Sequence, residues 1–186
     1  AAERGHLVTL FDSSDEIGGQ FNVAKRVPGK EEFFETLRYF GVRLKELNVE
    51  IKLNTKLTTQ QLNNMQVDEL VLATGISPRA LELPGHDHAK VVNYLDVVKG
   101  AKVGQKVAII GAGGIGFDVA EFLTHGEREP SQNIEQFMSQ WGIDMTMQAR
   151  GGVAQMTPNL EASPREVHLL QRKTTKVGAG LGKTTG

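Results

Sequence analysis

Cysteine is absent from all 186 residues. That excludes a disulfide framework, a thiolate zinc site, a catalytic thiol and a cysteine-ligated iron–sulfur cluster on this chain. An excess of either charge is also lacking: 21 Lys and Arg stand against 22 Asp and Glu, for a net charge of −1. Nucleic-acid affinity rests on surplus cations, so no nucleic-acid partner is expected. No apolar run nears the ~18 residues of a membrane span. Residues 1–5 (AAERG) have neither the basic region nor the apolar stretch of a signal peptide. A cytoplasmic location is therefore expected. With 39% apolar and 23% charged residues the composition suits a soluble protein, and the length allows one large domain or two small ones.

Glycine, by contrast, is plentiful and clustered. Of 21 glycines, four fall in GAGGIG (111–116) and four in GAGLGKTTG (178–186). Such clusters mark backbone that turns tightly or lets a ligand approach closely.

The chain opens in mid-pattern. Ala1 to Gly5 reads as the last turn of a helix with Gly5 as its stop, followed at once by Leu7-Val8-Thr9-Leu10-Phe11. This opening, with no initiator Met, suggests a piece of a longer protein. Asp12 closes the first strand. From Lys30 to Asn48, Phe33, Phe34, Leu37, Phe40, Leu44 and Leu47 recur at amphipathic-helix spacing, although Gly41 sits inside the run. Val49, Ile51 and Leu53 alternate as a half-buried strand, and Leu70-Val71-Leu72-Ala73 reads as another, ending at Thr74-Gly75. Residues 76–105 suit a crossover with a short helix near 94–99. Lys106 to Ile110 is a β-branched strand, GAGGIG follows without a gap, and helical spacing resumes from Phe117 to His125. Residues 126–163 interrupt the pattern, with one helix expected at 133–141. Val167-His168-Leu169-Leu170 then reads as a buried strand that leads into Gln171-Arg172-Lys173. Strands alternating with helices predict an α/β fold with Rossmann-like parallel sheets.

Gly111-x-Gly113-x-x-Gly116 is a weak pattern alone, but here it follows a strand directly and opens a helix. Gly111 would permit the tight turn, Gly113 would let the backbone approach a pyrophosphate, and Gly116 would allow close helix–strand packing. The anion would sit at the helix N-terminus, among free N–H groups and the positive end of the dipole. The alternative is a glycine turn that packs helix on strand with no ligand. The usual reader of an unphosphorylated ribose is an acid at the end of the following strand. That strand ends instead in Gln171-Arg172-Lys173. Adjacent cations would attract a 2′-phosphate, Arg as a planar fork, which favours NADP(H) over NAD(H). The alternative there is two solvated cations. Asp12 ends its strand where a ribose hydroxyl would be bound in a second nucleotide site; a simple strand cap is the competing reading.

Other signals carry less. GLGKTTG lacks the P-loop's first glycine, since Val177 holds that position. His86-Asp87-His88 has no third metal ligand near it. Lone His6, His125 and His168 suit the surface or a satisfied core, and Trp141 suits packing or a lid.

The runs EIGGQFNVAKRVPGKEEF (16–33), LATGISPR (72–79), KVAIIGAGGIGFDVAEFL (106–123) and LLQRKTTKVGAGLGKTTG (169–186) resemble the bacterial NADPH-dependent 2,4-dienoyl-CoA reductases. That family joins an old-yellow-enzyme-like barrel to flavin and nicotinamide domains, and the resemblance covers essentially the whole chain. It implies a partial FAD-binding domain at 1–98, interrupted by a partial NADPH-binding domain at 99–186 with an insertion at 126–163. It implies that Asp12 holds the FAD ribose, that Gln20 and Lys30 line the FAD site, and that Leu57 contacts the adenine end by its backbone. Gln20 could equally be a loop residue with no ligand. Gly111, Gly113, Gly116, Arg172 and Lys173 would bind NADPH, and Ala73-Thr74-Gly75 matches the family's strand end at the domain crossing. FMN, a 4Fe–4S cluster and the 2,4-dienoyl-CoA site would belong to the barrel, whose Tyr, His and cluster cysteines are not in this sequence. No catalytic residue is therefore expected on the chain, which alone should not reduce dienoyl-CoA. A related flavoenzyme, such as an amine dehydrogenase or enoate reductase, and a non-catalytic nucleotide-binding module are the alternatives.

Overall fold

Parallel pairing of two short strands recurs twice along this chain, each time with a helix in the crossover. The computed structural model describes residues 1–79, 81–126 and 133–181. They fall into two units, Ala1–Leu95 and Asp96–Gly186. The glycine-rich end from 182 onward, which holds most of the P-loop-like run, lies outside the described residues, as does part of the insertion.

In the first unit a 3-10 turn (Ala2–Arg4) stops at Gly5, and β1 (Thr9–Phe11) pairs in parallel with β2 (Glu50–Lys52), Thr9 opposite Glu50 and Phe11 opposite Lys52. The first strand is shorter than its apolar run implies, and Leu7 is fully exposed. Two helices lie between the strands, α1 (Phe21–Ala24) and α2 (Glu32–Glu46). An edge-to-face contact of Phe21 with Phe33, 4.8 Å between ring centres, fixes α1 on α2. The helix is amphipathic as its spacing predicts, with Phe33, Leu37 and Leu44 turned inward, whereas Phe34 and Phe40 of the same pattern are each about half exposed (51% and 52%). After β2, α3 (Thr59–Asn64) begins with a complete capping box: the Thr58 hydroxyl accepts the Gln61 N–H, and the Gln61 side chain accepts the Thr58 N–H.

Leu70-Val71-Leu72-Ala73 is not a strand. Its apolar side chains are exposed, Val71 by 84% and Leu72 by 74%. A strand exists only where a neighbour completes its hydrogen bonds. Among the described residues no strand lies alongside to do so.

The division between the units falls within α4 (Tyr94–Val98). In the second unit, β3 (Lys106–Ile110) leads into α5 (Gly114–Thr124), and β4 (Glu166–Leu170) pairs with β3 in parallel over five residues, from Lys106 opposite Glu166 to Ile110 opposite Leu170. The fold is therefore α/β, Rossmann-like, with parallel sheets. α5 packs on both strands. Among the described residues, Val97, Val98, Val119 and Leu123 are the buried apolar residues of this unit. Burial alternates along both strands, and Ile110 and Leu170 stay 61% and 49% exposed. β4 is thus half-buried rather than buried, because α5 covers one face and no described element covers the other.

Within the insertion, α6 (Ile134–Gln140) is capped by the Asn133 side chain, which accepts the Gln136 N–H at 3.0 Å, and Trp141 behind it is 66% exposed. Asp144 organises the next loop. Its carboxylate accepts the Thr146 hydroxyl and the N–H groups of Thr146, Gln148 and Ala149, at 2.6 to 2.8 Å. The Thr146 hydroxyl, then these N–H groups, hold the carboxyl down from 3.8 to about 2. A depressed carboxyl contributes stability that is present above its ordinary value and is lost as pH falls through the folded one. The Asp144 side-chain carbon signal should therefore titrate near pH 2. In Asp144→Asn, the Gln148 and Ala149 amides should exchange with solvent faster than in the parent. A titration midpoint at the ordinary value, or unchanged exchange, would contradict this account of the loop.

Candidate functional site

The C-terminal edge of β3 and β4 is where the second unit gathers its chemically distinctive residues. Parallel register sets Ile110 beside Leu170, and the Gly111 N–H donates to the Leu170 carbonyl at 2.9 Å. The glycine loop and the Gln171-Arg172-Lys173 turn are thereby neighbours, although some sixty residues separate them in sequence. Strand C-termini are also where ligands bind in open α/β sheets.

Each glycine of the loop answers to a different constraint. Gly111 has φ +119°, a conformation L side chains rarely adopt. A Cβ on Gly116 would run into the Gly111 carbonyl oxygen and would come within 3.0 Å of its carbon and 3.4 Å of Leu169 Cδ1. Gly113 is different. It is the N-cap of α5 with ordinary extended backbone (φ −93°, ψ −176°), and among the described residues nothing lies within 4 Å of where its Cβ would be. Protein packing does not require a glycine there. N-cap positions favour Ser, Thr, Asp or Asn, whose side chains accept the first helical N–H groups. Glycine leaves those donors uncapped and the space before them open. That arrangement fits an anion such as a pyrophosphate at the helix N-terminus. The helix begins at Gly114, three residues before the point where apolar spacing resumes, because the second half of the glycine run is already its first turn.

Arg172 and Lys173 are exposed at the end of β4. Among the described residues neither has a hydrogen bond or ion pair to its side chain. Lys106, by contrast, bonds Glu166 at 2.9 Å, and Glu166 also meets His168 at 2.9 Å. Two unpaired cations beside an uncapped helix N-terminus form a surface suited to a polyanion. A separate cavity of about 410 Å³, between residues such as Lys102, Phe122, Leu123 and Arg165, lies toward the strand starts, away from the glycine loop.

In the first unit, Asp12 follows β1 directly. Its N–H donates to Lys52 O, its carbonyl accepts the Thr55 N–H at 2.8 Å, and its Oδ1 accepts the Ser14 N–H at 2.8 Å. It thus does serve as a local cap through Oδ1, and its second carboxylate oxygen has no described hydrogen bond. The same bonds carry the chain after β2 along this edge toward Leu57, whose N–H and C=O have no partner among the described residues. A half-buried carboxylate and two open main-chain groups at one strand edge suit a ribose and an adenine edge. Gln20 precedes α1, and its Nε2 reaches the Ile76 carbonyl at 3.5 Å, joining this turn to the stretch after Thr74-Gly75. Lys30 sits at the start of the α2 approach, its N–H donating to Val27 O at 3.1 Å. No described hydrogen bond links Gln20 to Asp12. The nearby Lys25, unremarked in the sequence, is tied to Asn22 at 2.8 Å and lies over the Phe34 ring.

His86 and His88 are taken up in local turns, His86 Nδ1 near Leu83 O at 2.9 Å and His88 Nδ1 accepting the Lys90 N–H at 3.1 Å. Among the described residues no group of three His, Cys, Asp or Glu side chains could hold a metal, and no helix is long and apolar enough to cross a membrane.

The model of the family described as pyridine nucleotide-disulphide oxidoreductase matches residues 1–175. The chain is 40% identical over 131 residues to a cinnamate reductase of Clostridium sporogenes, an overlap that covers 69% of this chain and 19% of that protein. It is 32% identical over 145 residues to a metal reductase of Desulforamulus reducens, covering 75% of this chain and 22% of the relative. Among solved structures, a 2-naphthoyl-CoA reductase in complex with 2-naphthoyl-CoA superposes with a TM-score of 0.62 at 36% identity, covering 66% of this chain and 19% of that one. The chain spans about a fifth of the length of the curated relatives it matches.

Proposed function

The chain belongs to the pyridine nucleotide-disulphide oxidoreductase family, and on that basis we propose that it is the FAD- and NADPH-binding segment of a 2,4-dienoyl-CoA reductase. When bound, the nicotinamide supplies a hydride that the flavin accepts. The chain's own residues bind and orient. Asp12 accepts from the FAD ribose hydroxyls, Leu57 meets the adenine edge through its main chain, and Gln20 and Lys30 line the same cofactor. The N–H groups at the start of α5 would hold the NADPH pyrophosphate, and Arg172 and Lys173 would hold its 2′-phosphate. On this reading residues 1–98 are the flavin domain and residues 99–186 the nicotinamide domain. FMN, the 4Fe–4S cluster and the dienoyl-CoA site belong to a barrel outside this chain.

The observation that supports this most is the Gly111 N–H bond to Leu170 O, which makes the glycine loop and the two unpaired cations neighbours. A reductase named for a CoA thioester among the structural relatives supports an acyl-CoA substrate class. The cinnamate reductase relative favours a second reading, an enoate reductase with the same nucleotide sites. Rapid-mixing reduction of flavin in the enzyme that contains this chain separates the possibilities. NADPH should reduce it faster than NADH, and turnover should follow with a 2,4-dienoyl-CoA rather than with free cinnamate. Equal rates with the two nucleotides would sink the cation assignment, and turnover of cinnamate alone would favour the second reading. Replacing both Arg172 and Lys173 by Ala should weaken NADPH about 100-fold, the scale of two charge-assisted hydrogen bonds, and leave NADH nearly unchanged.

A further inference from the structure

The turn that carries the two cations has little else to hold it. Among the described residues, none of 172–175 makes a main-chain to main-chain hydrogen bond, and β4 has already ended at Leu170. All four are exposed. The tie across the turn comes from the half-buried Gln171, whose side-chain Nε2 donates to the Thr175 carbonyl and closes the loop around Arg172 and Lys173. Beyond it, the Lys176 and Gly178 carbonyls accept the Ala179 and Leu181 N–H groups. There the chain rests on the dinucleotide helix: a Cβ on Gly178 would stand 3.4 Å from Phe117 Cζ, one residue past Gly116. The turn is therefore anchored at its start by the Leu170–Gly111 bond, its far side passes close to Phe117, and Gln171 spans between.

We propose that Gln171 is a positioning residue that sets the preference for a 2′-phosphorylated nucleotide by holding Arg172 and Lys173 in one arrangement. The inference rests on the NADPH reading of those two cations. Long cationic side chains on an open turn must be ordered at the moment of binding, and that ordering is subtracted from the affinity they give. A turn closed beforehand spares that cost, and only for the ligand group the cations contact. Loss of the Gln171 bond should then weaken recognition of the 2′-phosphate and spare recognition of the rest of the nucleotide.

Calorimetric titration of the chain with adenosine 2′,5′-bisphosphate and with adenosine 5′-monophosphate tests this. The parent chain should prefer the bisphosphate. Gln171→Met, of similar length but without a donor, should reduce that preference about tenfold, with affinity for the monophosphate unchanged. Gln171→Asn keeps an amide but shortens its reach, and should behave in the same way. Arg172→Ala/Lys173→Ala should abolish the preference. If the Gln171 variants keep the parental ratio while the double variant loses it, the positioning role is overturned and the NADPH reading stands. If both ligands weaken alike in the Gln171 variants, the residue is merely structural and the role is again overturned. If the parent shows no preference, or the double variant retains it, the underlying reading itself fails.

Discussion

Gly113→Asp should abolish NADPH binding in a chain that is at least as stable as its parent. The two effects have opposite signs because they come from the same groups. Asp is among the best N-cap residues, and the backbone at 113 is already in the extended conformation an N-cap uses. Among the described residues no atom within 4 Å opposes the new Cβ. The carboxylate would accept from N–H groups in the first turn of α5, and its charge would favour the positive end of the helix dipole. A gain of a few tenths of a kcal/mol over glycine is expected. The pyrophosphate would then meet donors already occupied and a negative charge in its place. Loss of those contacts together with like-charge repulsion should weaken binding by about 100-fold or more. Thermal denaturation paired with titration of NADPH reads both quantities on one sample. Undiminished binding would mean that the helix N-terminus is not the anion site; a large loss of stability would mean that Gly113 has a packing role absent from this structure.

That experiment depends on a feature only half legible in the sequence. The strand, glycine run and helix of 106–124 are local pattern, and they form where periodicity and glycine spacing put them. What spacing could not separate is which glycine is required by the protein and which by a ligand. That distinction needed the positions of the Gly111 carbonyl and Leu169 around Gly116, and the open space around Gly113. The nearness of Gln171 to Thr175 was equally out of reach, because it is a property of a turn and not of a period. Other differences have the same origin. Leu70–Ala73 has a strand's composition but no neighbour to pair with. Phe34 and Phe40 have the spacing of an inward face, yet each stays about half exposed, and α1 packs on this helix at Phe33. One local signal was available and went unused: Thr58 and Gln61, three apart, are a capping box, and α3 begins there rather than continuing a polar loop.

Gly116→Ala should give the reverse of Gly113→Asp, losing stability and binding together. One methyl group suffices, since the added Cβ would collide with the Gly111 carbonyl, and a carbonyl held at the start of a strand-to-helix turn cannot swing aside as a flexible side chain could. Relief requires α5 to move off β3 and β4. That movement would open the contact made by Val119 and Leu123, which are 5% and 2% exposed and are half of the buried apolar residues described in this unit. Overpacking of this kind costs about 1–3 kcal/mol, a large share of the stability of a small domain. Displacing the helix also moves its N–H groups away from the loop, so nucleotide affinity should fall in step with the thermal midpoint. Gly114→Ala is the control. It lies at the first helical position with open space around its Cβ. Alanine there should stabilise the helix by up to about 1 kcal/mol and retain binding. If Gly114→Ala and Gly116→Ala lower the midpoint equally, close approach at 116 is not what requires its glycine. If Gly116→Ala alone is destabilised and Gly113→Asp alone separates binding from stability, glycine at 116 is required by packing and glycine at 113 by a ligand.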